Sequence, residues 1–398
     1  MKYKLKDIFD LQMGKTPSRN NSEYWDKEDY KWISIADLSK NGMYILDTKE
    51  YLSEKAILES GIKVIPANTV VMSFKLSIGK TAITAEDMYS NEAIMSFHDK
   101  HIVEILPEYI FYMFKYKNWD EGSNKAVMGK TLNKATLSET VIEICSIEKQ
   151  KEIVNILNKM TCIIEKRQQE LSELDTLIKA RFVEMFGDPV LNTFKWNRSL
   201  LRDVTSKIGS GATPRGGKES YQSEGISLIR SMNVHDGRFQ YKELAHITDE
   251  QAKQLNNVTV EKNDVFINIT GASVARSCIV PNDVLPARVN QHVAIVRCDC
   301  TQLHPVFLNN VFLNTQFKNK LLSIGESGGA TRQAITKKQL ENIVVIIPPL
   351  SLQNEFAAFV QQIDKLRFGG RKRLTKAKNT KNNNRNTITL ERSTLYGK

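Results

Sequence analysis

Between Ile153 and Met185 the seam positions step alternately by four and three: Ile153, Leu157, Met160, Ile164, Arg167, Leu171, Leu174, Ile178, Arg181 and Met185. Eight of the ten are apolar, and residues 148–186 hold no Gly or Pro and are mostly good helix formers. A stripe this narrow, kept over more than four heptads, predicts one long helix with a coiled-coil seam. At about 1.5 Å per residue it would reach about 58 Å. Gly187-Asp188-Pro189 ends it, because Gly accepts a left-handed cap and Pro cannot continue a helix. Elsewhere the period changes. Short apolar runs at Val70–Met72, Val141–Ile144, Val265–Ile267 and Ile343–Ile347 predict buried strands, and the apolar stretches behind Pro107 and Pro305 predict helices.

These elements come twice, in one order. Gly14-Lys15-Thr16-Pro17 is answered by Gly211-Ala212-Thr213-Pro214, and Trp32-Ile33-Ser34-Ile35 by Gly225-Ile226-Ser227-Leu228. Asn91-Glu92-Ala93-Ile94 is answered by Asn290-Gln291-His292-Val293, and Gly129-Lys130-Thr131 by Gly329-Ala330-Thr331. The chain therefore reads as a duplicated α+β unit, each copy followed by a helix. The second helix starts in register with Phe356, Val360 and Ile363, then meets Arg367 and Gly369-Gly370. Its polar continuation, Lys381-Asn382-Asn383-Asn384-Arg385-Asn386, reads as a disordered tail, so this helix is expected to be truncated. The expected boundaries are a domain over 1–147, a complete helix over 148–187, a domain over 188–350, a truncated helix over 351–367 and a basic tail over 368–398.

Composition adds little until the charge is located. The net charge is +11, from 56 Lys/Arg and 45 Asp/Glu, but residues 367–398 hold ten of the bases and only one acid, Glu391. The remaining 46 bases against 44 acids leave the body nearly neutral. Five cysteines without Cys-x-x-Cys spacing argue against a disulfide framework or zinc site, and a reducing cytoplasm is expected. No apolar run is long enough for a membrane span, and Met1-Lys2-Tyr3-Lys4 does not open a secretory signal.

The motifs that suggest catalysis lack their partners. Three Gly-Lys-Thr tripeptides, at 14–16, 79–81 and 129–131, have Phe9, Phe74 and Asn124 where a phosphate loop needs glycine. Gly209-Ser210-Gly211 runs into Thr213-Pro214 instead of a helix start. The pair Pro348-Pro349 lacks the acidic or amide residue and the aromatic that a base-methylating loop places around it. His98 with His101, and Cys298 with Cys300, lack second pairs at ligand spacing. No catalytic residue and no metal site is expected.

The Gly-x-Thr-Pro openings, the Gly-Lys-Thr or Gly-Ala-Thr turns, the Gln150-x-x-Ile153 helix onset and the helix ending Arg181-Phe182-Val183-Glu184-Met185-Phe186-Gly187-Asp188-Pro189 carry a family resemblance. Over residues 1 to about 366 the chain resembles the specificity subunit of type I restriction–modification enzymes. The resemblance implies two target-recognition domains of mixed α/β structure, each reading half of a split site on double-stranded DNA. It implies that their helices pair antiparallel as a spacer and dock methyltransferase subunits. Those subunits would bring S-adenosylmethionine and flip the target adenine; motor-nuclease subunits would bring ATP and Mg²⁺. No cofactor belongs to this chain on that reading. A truncated second helix would leave the first seam exposed and invite self-association. The rival readings are a coiled-coil protein-interaction scaffold and an inactive truncated form of the specificity subunit.

Loop residues with forked donors or amides are the expected DNA contacts, because Arg reads guanine, Asn and Gln read adenine, and Lys, Ser and Thr hold phosphates. In the first copy these are Lys15, Thr16, Arg19, Lys75, Lys80, Lys130 and Thr131; in the second, Thr213, Arg215, Lys218, Arg230, Arg276, Asn290, Gln291, Arg332 and Gln333. Ile153, Leu157, Met160, Ile164, Leu171, Leu174, Ile178 and Met185 are the expected subunit-interface residues.

Overall fold

Each repeat closes where its first strand meets its last. Lys2–Lys4 pairs antiparallel with Val141–Glu143, placing Tyr3 opposite Ile142. Asn197–Leu200 pairs in the same way with Val344–Ile347, placing Arg198 opposite Ile346. The computed structural model describes residues 1–40, 42–75, 77–119, 132–214, 216–326 and 333–390, with side chains to 383. It divides into two compact units, Met1–Arg167 with Arg373–Lys398, and Gln168–Lys372.

In the first unit a five-stranded sheet runs in the order Phe9–Met13, Ile94–Asp99, Val70–Ser73, Thr81–Thr84, Tyr44–Ile45. Only its last pair is parallel. Because side chains alternate along a strand, Val70 and Met72 face a core with Phe97, Ile110 and Phe114, while Val71 joins Ile33, Ile45 and Ile94 on the other side. Burial on both faces is why this strand reads as a continuous apolar run. In the second unit Thr205–Ser210, Val293–Cys298, Val265–Asn268 and Ser277–Ile279 form the matching antiparallel sheet. There Val265 and Ile267 face Phe182, Phe186, Phe307 and Phe356, and Phe266 faces Leu228, Val289 and Ile295. A three-stranded sheet accompanies each: Glu50–Leu52, Tyr30–Ile33 and Tyr89–Ser90, and Ala245–Ile247, Ile226–Ile229 and Ala287–Val289. The predicted proline-led helices are Pro107–Tyr116 and Pro305–Leu313.

Both long helices start on a buried glutamine. Gln150 accepts from the Leu106 N–H at 2.9 Å and donates to the carbonyls of Glu104 (2.9 Å) and Cys145 (3.0 Å). Gln353 repeats this with the His304 N–H (2.8 Å) and the carbonyls of Gln302 (3.0 Å) and Pro348 (2.8 Å). One carboxamide thus ties each long helix to the loop ahead of the proline-led helix. The first long helix spans Ile147–Phe186, and Gly187 caps it at φ +72°. All eight expected interface residues on it are buried or half-buried.

The second helix corrects the sequence expectation. It is not truncated near 367, and the segment behind it is not disordered as far as Leu390: the helix runs unbroken over Leu350–Leu390. The four-three spacing continues through Phe356, Val360, Ile363, Arg367, Gly370, Leu374, Ala377 and Lys381, every one buried or half-buried. Only the chemistry of the seam changes. In the second unit Arg367 pairs with Asp175, and a Cβ on Gly370 would lie 3.1 Å from Leu171 Cδ2. Gly370 therefore marks a close approach of two helices rather than a stop. In the first unit Lys381 Nζ donates to Thr161 Oγ1 at 2.7 Å. With its seam residues covered in this way, the first helix does not present the exposed apolar face from which self-association was expected.

Three substitutions check this architecture. Phe356→Ala removes a fully buried ring from the seam and should cost about 3–5 kcal/mol in chemical denaturation. Phe368→Ala, on the outer face of the same helix and 62% exposed, should stay within about 0.5 kcal/mol. Gln353→Met keeps the shape but leaves three backbone groups without partners, and should cost about 3 kcal/mol in the same assay.

Candidate nucleic-acid interface

In the first domain, the loops leaving Met13 and Ser73 and those arriving at Thr81 and Ile94 emerge from one end of the sheet, because these strands alternate in direction. In the second, the loops at Ser210, Asn268, Ser277 and Val293 do the same. The Gly-x-Thr-Pro openings lie in these clusters. A Cβ on Gly14 would sit 2.3 Å from the carbonyl oxygens of Ser90 and Asn91, and one on Gly211 would sit 1.8 Å from that of Val289. Only glycine allows this loop to lie on the neighbouring turn.

The facing turns are built alike. Asn91 Oδ1 accepts from the Ala93 N–H and Asn290 Oδ1 from the His292 N–H, each at 3.0 Å. The Phe74 N–H reaches the Ala93 carbonyl and the Ile269 N–H the His292 carbonyl, again each at 3.0 Å. The opening threonine then bonds the residue behind the asparagine. Thr16 donates to Glu92, and Thr213 donates to Gln291 Oε1 at 2.5 Å. Gln291 Nε2 also lies 3.2 Å from His292 Nε2, and His292 Nδ1 lies 2.5 Å from Thr270 Oγ1. The Thr16 hydroxyl first, and Lys75 and Arg19 with it, hold the Glu92 carboxyl below the usual carboxylate range.

The other expected contacts scatter in role. Lys15 bonds the Ser60 carbonyl, Lys80 reaches Ser39 Oγ at 2.6 Å, and Lys75 lies 5.3 Å over the Phe74 ring. Arg19 holds Glu50 with both terminal nitrogens (2.5 and 3.1 Å) and stacks 3.8 Å over Trp25, so its fork is already occupied. Arg230 bonds the Glu243 carbonyl and lies 5.3 Å over Tyr221. Lys218 is exposed in a short 3-10 turn, and Arg276 is half-buried in the loop before Ser277. Gln333 lends its carbonyl to the Gly271 N–H and its amide to Glu326 at 2.7 Å. Asn290 is only 4% exposed, and its side-chain oxygen is engaged in forming the turn. Lys130, Thr131, Arg215 and Arg332 lie outside the described residues. Glu92, which stands where Gln291 stands in the second repeat, was not among the expected contacts.

The decoy motifs acquire ordinary places. Gly79-Lys80-Thr81 leads into a strand, not the helix that a phosphate loop requires. The sequence also holds two acid-x-Lys steps, Asp29-Tyr30-Lys31 and Asp47-Thr48-Lys49; among the described residues neither belongs to a group of acids gathered to hold a metal, and Lys31 Nζ binds Glu86 and the Leu46 carbonyl. Among the described residues no three His, Cys, Asp or Glu gather as metal ligands. Burial lowers the pKa of His98, pushes the Cys278 thiol up to about 12 and raises that of Cys298. Among the described residues no helix is long and apolar enough to cross a membrane.

A duplicated α+β domain, each copy followed by a long helix, is the architecture of a known class. The profile of the type I restriction modification DNA specificity domain matches residues 1–175 and again 195–379, and the chain belongs to that family. It is 25% identical over 380 residues to the type I restriction enzyme MjaIX specificity subunit of Methanocaldococcus jannaschii, covering 90% of this chain and 85% of that one. It is 22% identical over 267 residues to the EcoBI specificity subunit of Escherichia coli, covering 61% of this chain and 55% of that one. The fold matches the crystal structure of the S subunit of a type I restriction–modification system from M. genitalium, with TM-score 0.60, 13% identity and coverage of 98% and 95%. A chain from a structural study of complex assembly in a type I system matches at TM-score 0.59 and 16% identity, with coverage of 98% and 97%.

The clasp makes a testable contrast. Gly211→Ala would force the loop off the Val289 carbonyl and should cost about 2 kcal/mol or more in chemical denaturation. Gly209→Ala, two residues earlier with nothing within 4 Å of its Cβ position, should be neutral or gain up to about 1 kcal/mol.

Proposed function

We propose that this chain is the non-catalytic address-reading subunit of a type I restriction–modification complex. Each of its two domains would read one half of a split DNA target through the loop cluster at the end of its larger sheet. The observation that carries the reading is the repeated clasp. Two domains use the same glycine, threonine and asparagine to hold a turn, and carry different side chains at its tip. A common frame with variable tips suits two related but unequal half-sites.

The paired long helices would set the spacing of the half-sites and dock the methyltransferase subunits. S-adenosylmethionine would enter with those subunits, ATP and Mg²⁺ with the motor-nuclease subunits. The target adenine must leave the base stack to be methylated, which is work for the methyltransferase, guided by where this chain settles. Lysines near the loops, such as Lys15, Lys75 and Lys80, would supply phosphate contacts that set register without choosing bases.

Methylome sequencing of a host with and without the gene, in the presence of its methyltransferase, tests this. Loss of one split methylated-adenine motif is the expected outcome; an unchanged methylome overturns the proposal.

A further inference from the structure

We infer that Glu92 and Gln291, at equivalent turn tips of the two domains, are base-selecting residues, Glu92 choosing cytosine in one half-site and Gln291 choosing adenine in the other. This rests on the function proposed above and adds to it a residue and a base for each half.

The equivalence of the two positions is structural. Both follow the asparagine that builds the turn, and both accept a hydrogen bond from the opening threonine. In both domains the backbone anchors correspond. The Asn91 N–H bonds the Ile33 carbonyl at 3.1 Å and the Asn290 N–H that of Ile229 at 3.0 Å; Leu132 reaches Phe74 at 3.1 Å and Ile335 reaches Ile269 at 2.8 Å. Both side chains are exposed, whereas the asparagine before each is half-buried or buried. What differs is the chemistry presented outward.

Gln291 is held in one orientation. Thr213 donates to its Oε1 at 2.5 Å, and its Nε2 donates to His292 Nε2, which leaves the His292 proton on Nδ1 for Thr270 Oγ1. These bonds use one N–H and one lone pair of the carboxamide and leave one of each for a ligand. That is the donor–acceptor pair that matches adenine N7 and N6 in the major groove. Glu92 accepts from Thr16 and from its own backbone N–H, with Lys75 nearby, and these keep it ionised. An ionised carboxylate offers only acceptors, which match the N4 amino group of cytosine and repel the O6 and N7 acceptors of guanine. Neither residue has to be reoriented on binding, because the threonine fixes both.

The test uses the full chain co-expressed with its methyltransferase subunits and reads the methylated motif for wild type, Glu92→Gln, Gln291→Glu and Thr16→Val. Glu92→Gln should move the preference at one position of one half-site from cytosine to adenine by about 10-fold, leaving the other half-site unchanged. Gln291→Glu should make the reverse change in the other half-site. Thr16→Val, which frees the carboxylate to swing, should relax the choice at the same position that Glu92→Gln alters. Both exchanges are nearly isosteric, so assembly with the methyltransferase, checked by co-purification, should persist. If the assembled variants methylate the wild-type motif with unchanged preference, or lose methylation at every site, the inference is overturned. A wild-type complex that methylates no split motif overturns the functional reading itself, a result distinct from either.

Discussion

A buried carboxamide must find a partner for both its oxygen and its nitrogen, and Gln150 and Gln353 each find three in the backbone. Each sits at the first turn of a long helix, and its partners lie in the closing strand's exit and in the loop that starts the proline-led helix. This interaction fixes the angle at which each helix leaves its domain. Without it, an apolar seam could roll against the core with little penalty, since hydrophobic contact has no direction. The two-stranded closures at Tyr3–Ile142 and Arg198–Ile346 stand beside it and bring both ends of each repeat to the same place.

From that base the sheets carry the variable loops to their far end. The frame there is held by backbone contacts that tolerate no side chain at Gly14 or Gly211, and by asparagine turns at Asn91 and Asn290. Neither device depends on the identity of the residue at the tip. A Glu and a Gln can therefore stand at equivalent positions without disturbing the fold, because the threonine beside them donates to either one. On the inference drawn above, the frame would carry the stability and the tip the selectivity, so that a duplicated domain could diverge in what it reads while folding alike.

Much of this was legible in the sequence, for reasons that also explain the failures. Val70–Met72 and Val265–Ile267 announced themselves because strands buried on both faces need apolar residues at every position. The repeat was visible because turn-forming glycine, proline and asparagine cannot be exchanged freely. The second helix was misread because its seam beyond Ile363 is made of Arg367, Gly370, Leu374, Ala377 and Lys381: the spacing persists while the hydrophobicity does not. Asn290 was chosen for its amide, yet its side-chain oxygen builds the turn and the residue is only 4% exposed. Arg19 is likewise occupied by Glu50 and Trp25, a pairing that no local spacing reveals. Glu92 was passed over because the expected contacts were limited to forked donors, amides and phosphate-holding Lys, Ser and Thr, a rule that leaves out carboxylates as acceptors for base amino groups.

The polar seam of the second helix also has a physical use. A seam of uniform leucines can be satisfied in several registers one heptad apart, each burying nearly the same area. Here the pairs are unequal. Arg367 meets Asp175, and Gly370 meets Leu171. Sliding the helix by one heptad either way would bring Arg367 opposite Gln168 or Phe182, neither of which carries a counter-charge, and would leave Asp175 facing Leu374 or Val360. It would also set Leu171 against Ile363 or Ala377, where the space left by Gly370 is filled. The ion pair itself contributes little net stability, since desolvation offsets most of its attraction. Its effect is on the alternatives: every other register breaks the pair, leaving Arg367 only Asp364 on its own helix, and overfills one layer. Such a seam favours one register over the others at the cost of the extra stability that a leucine would bring.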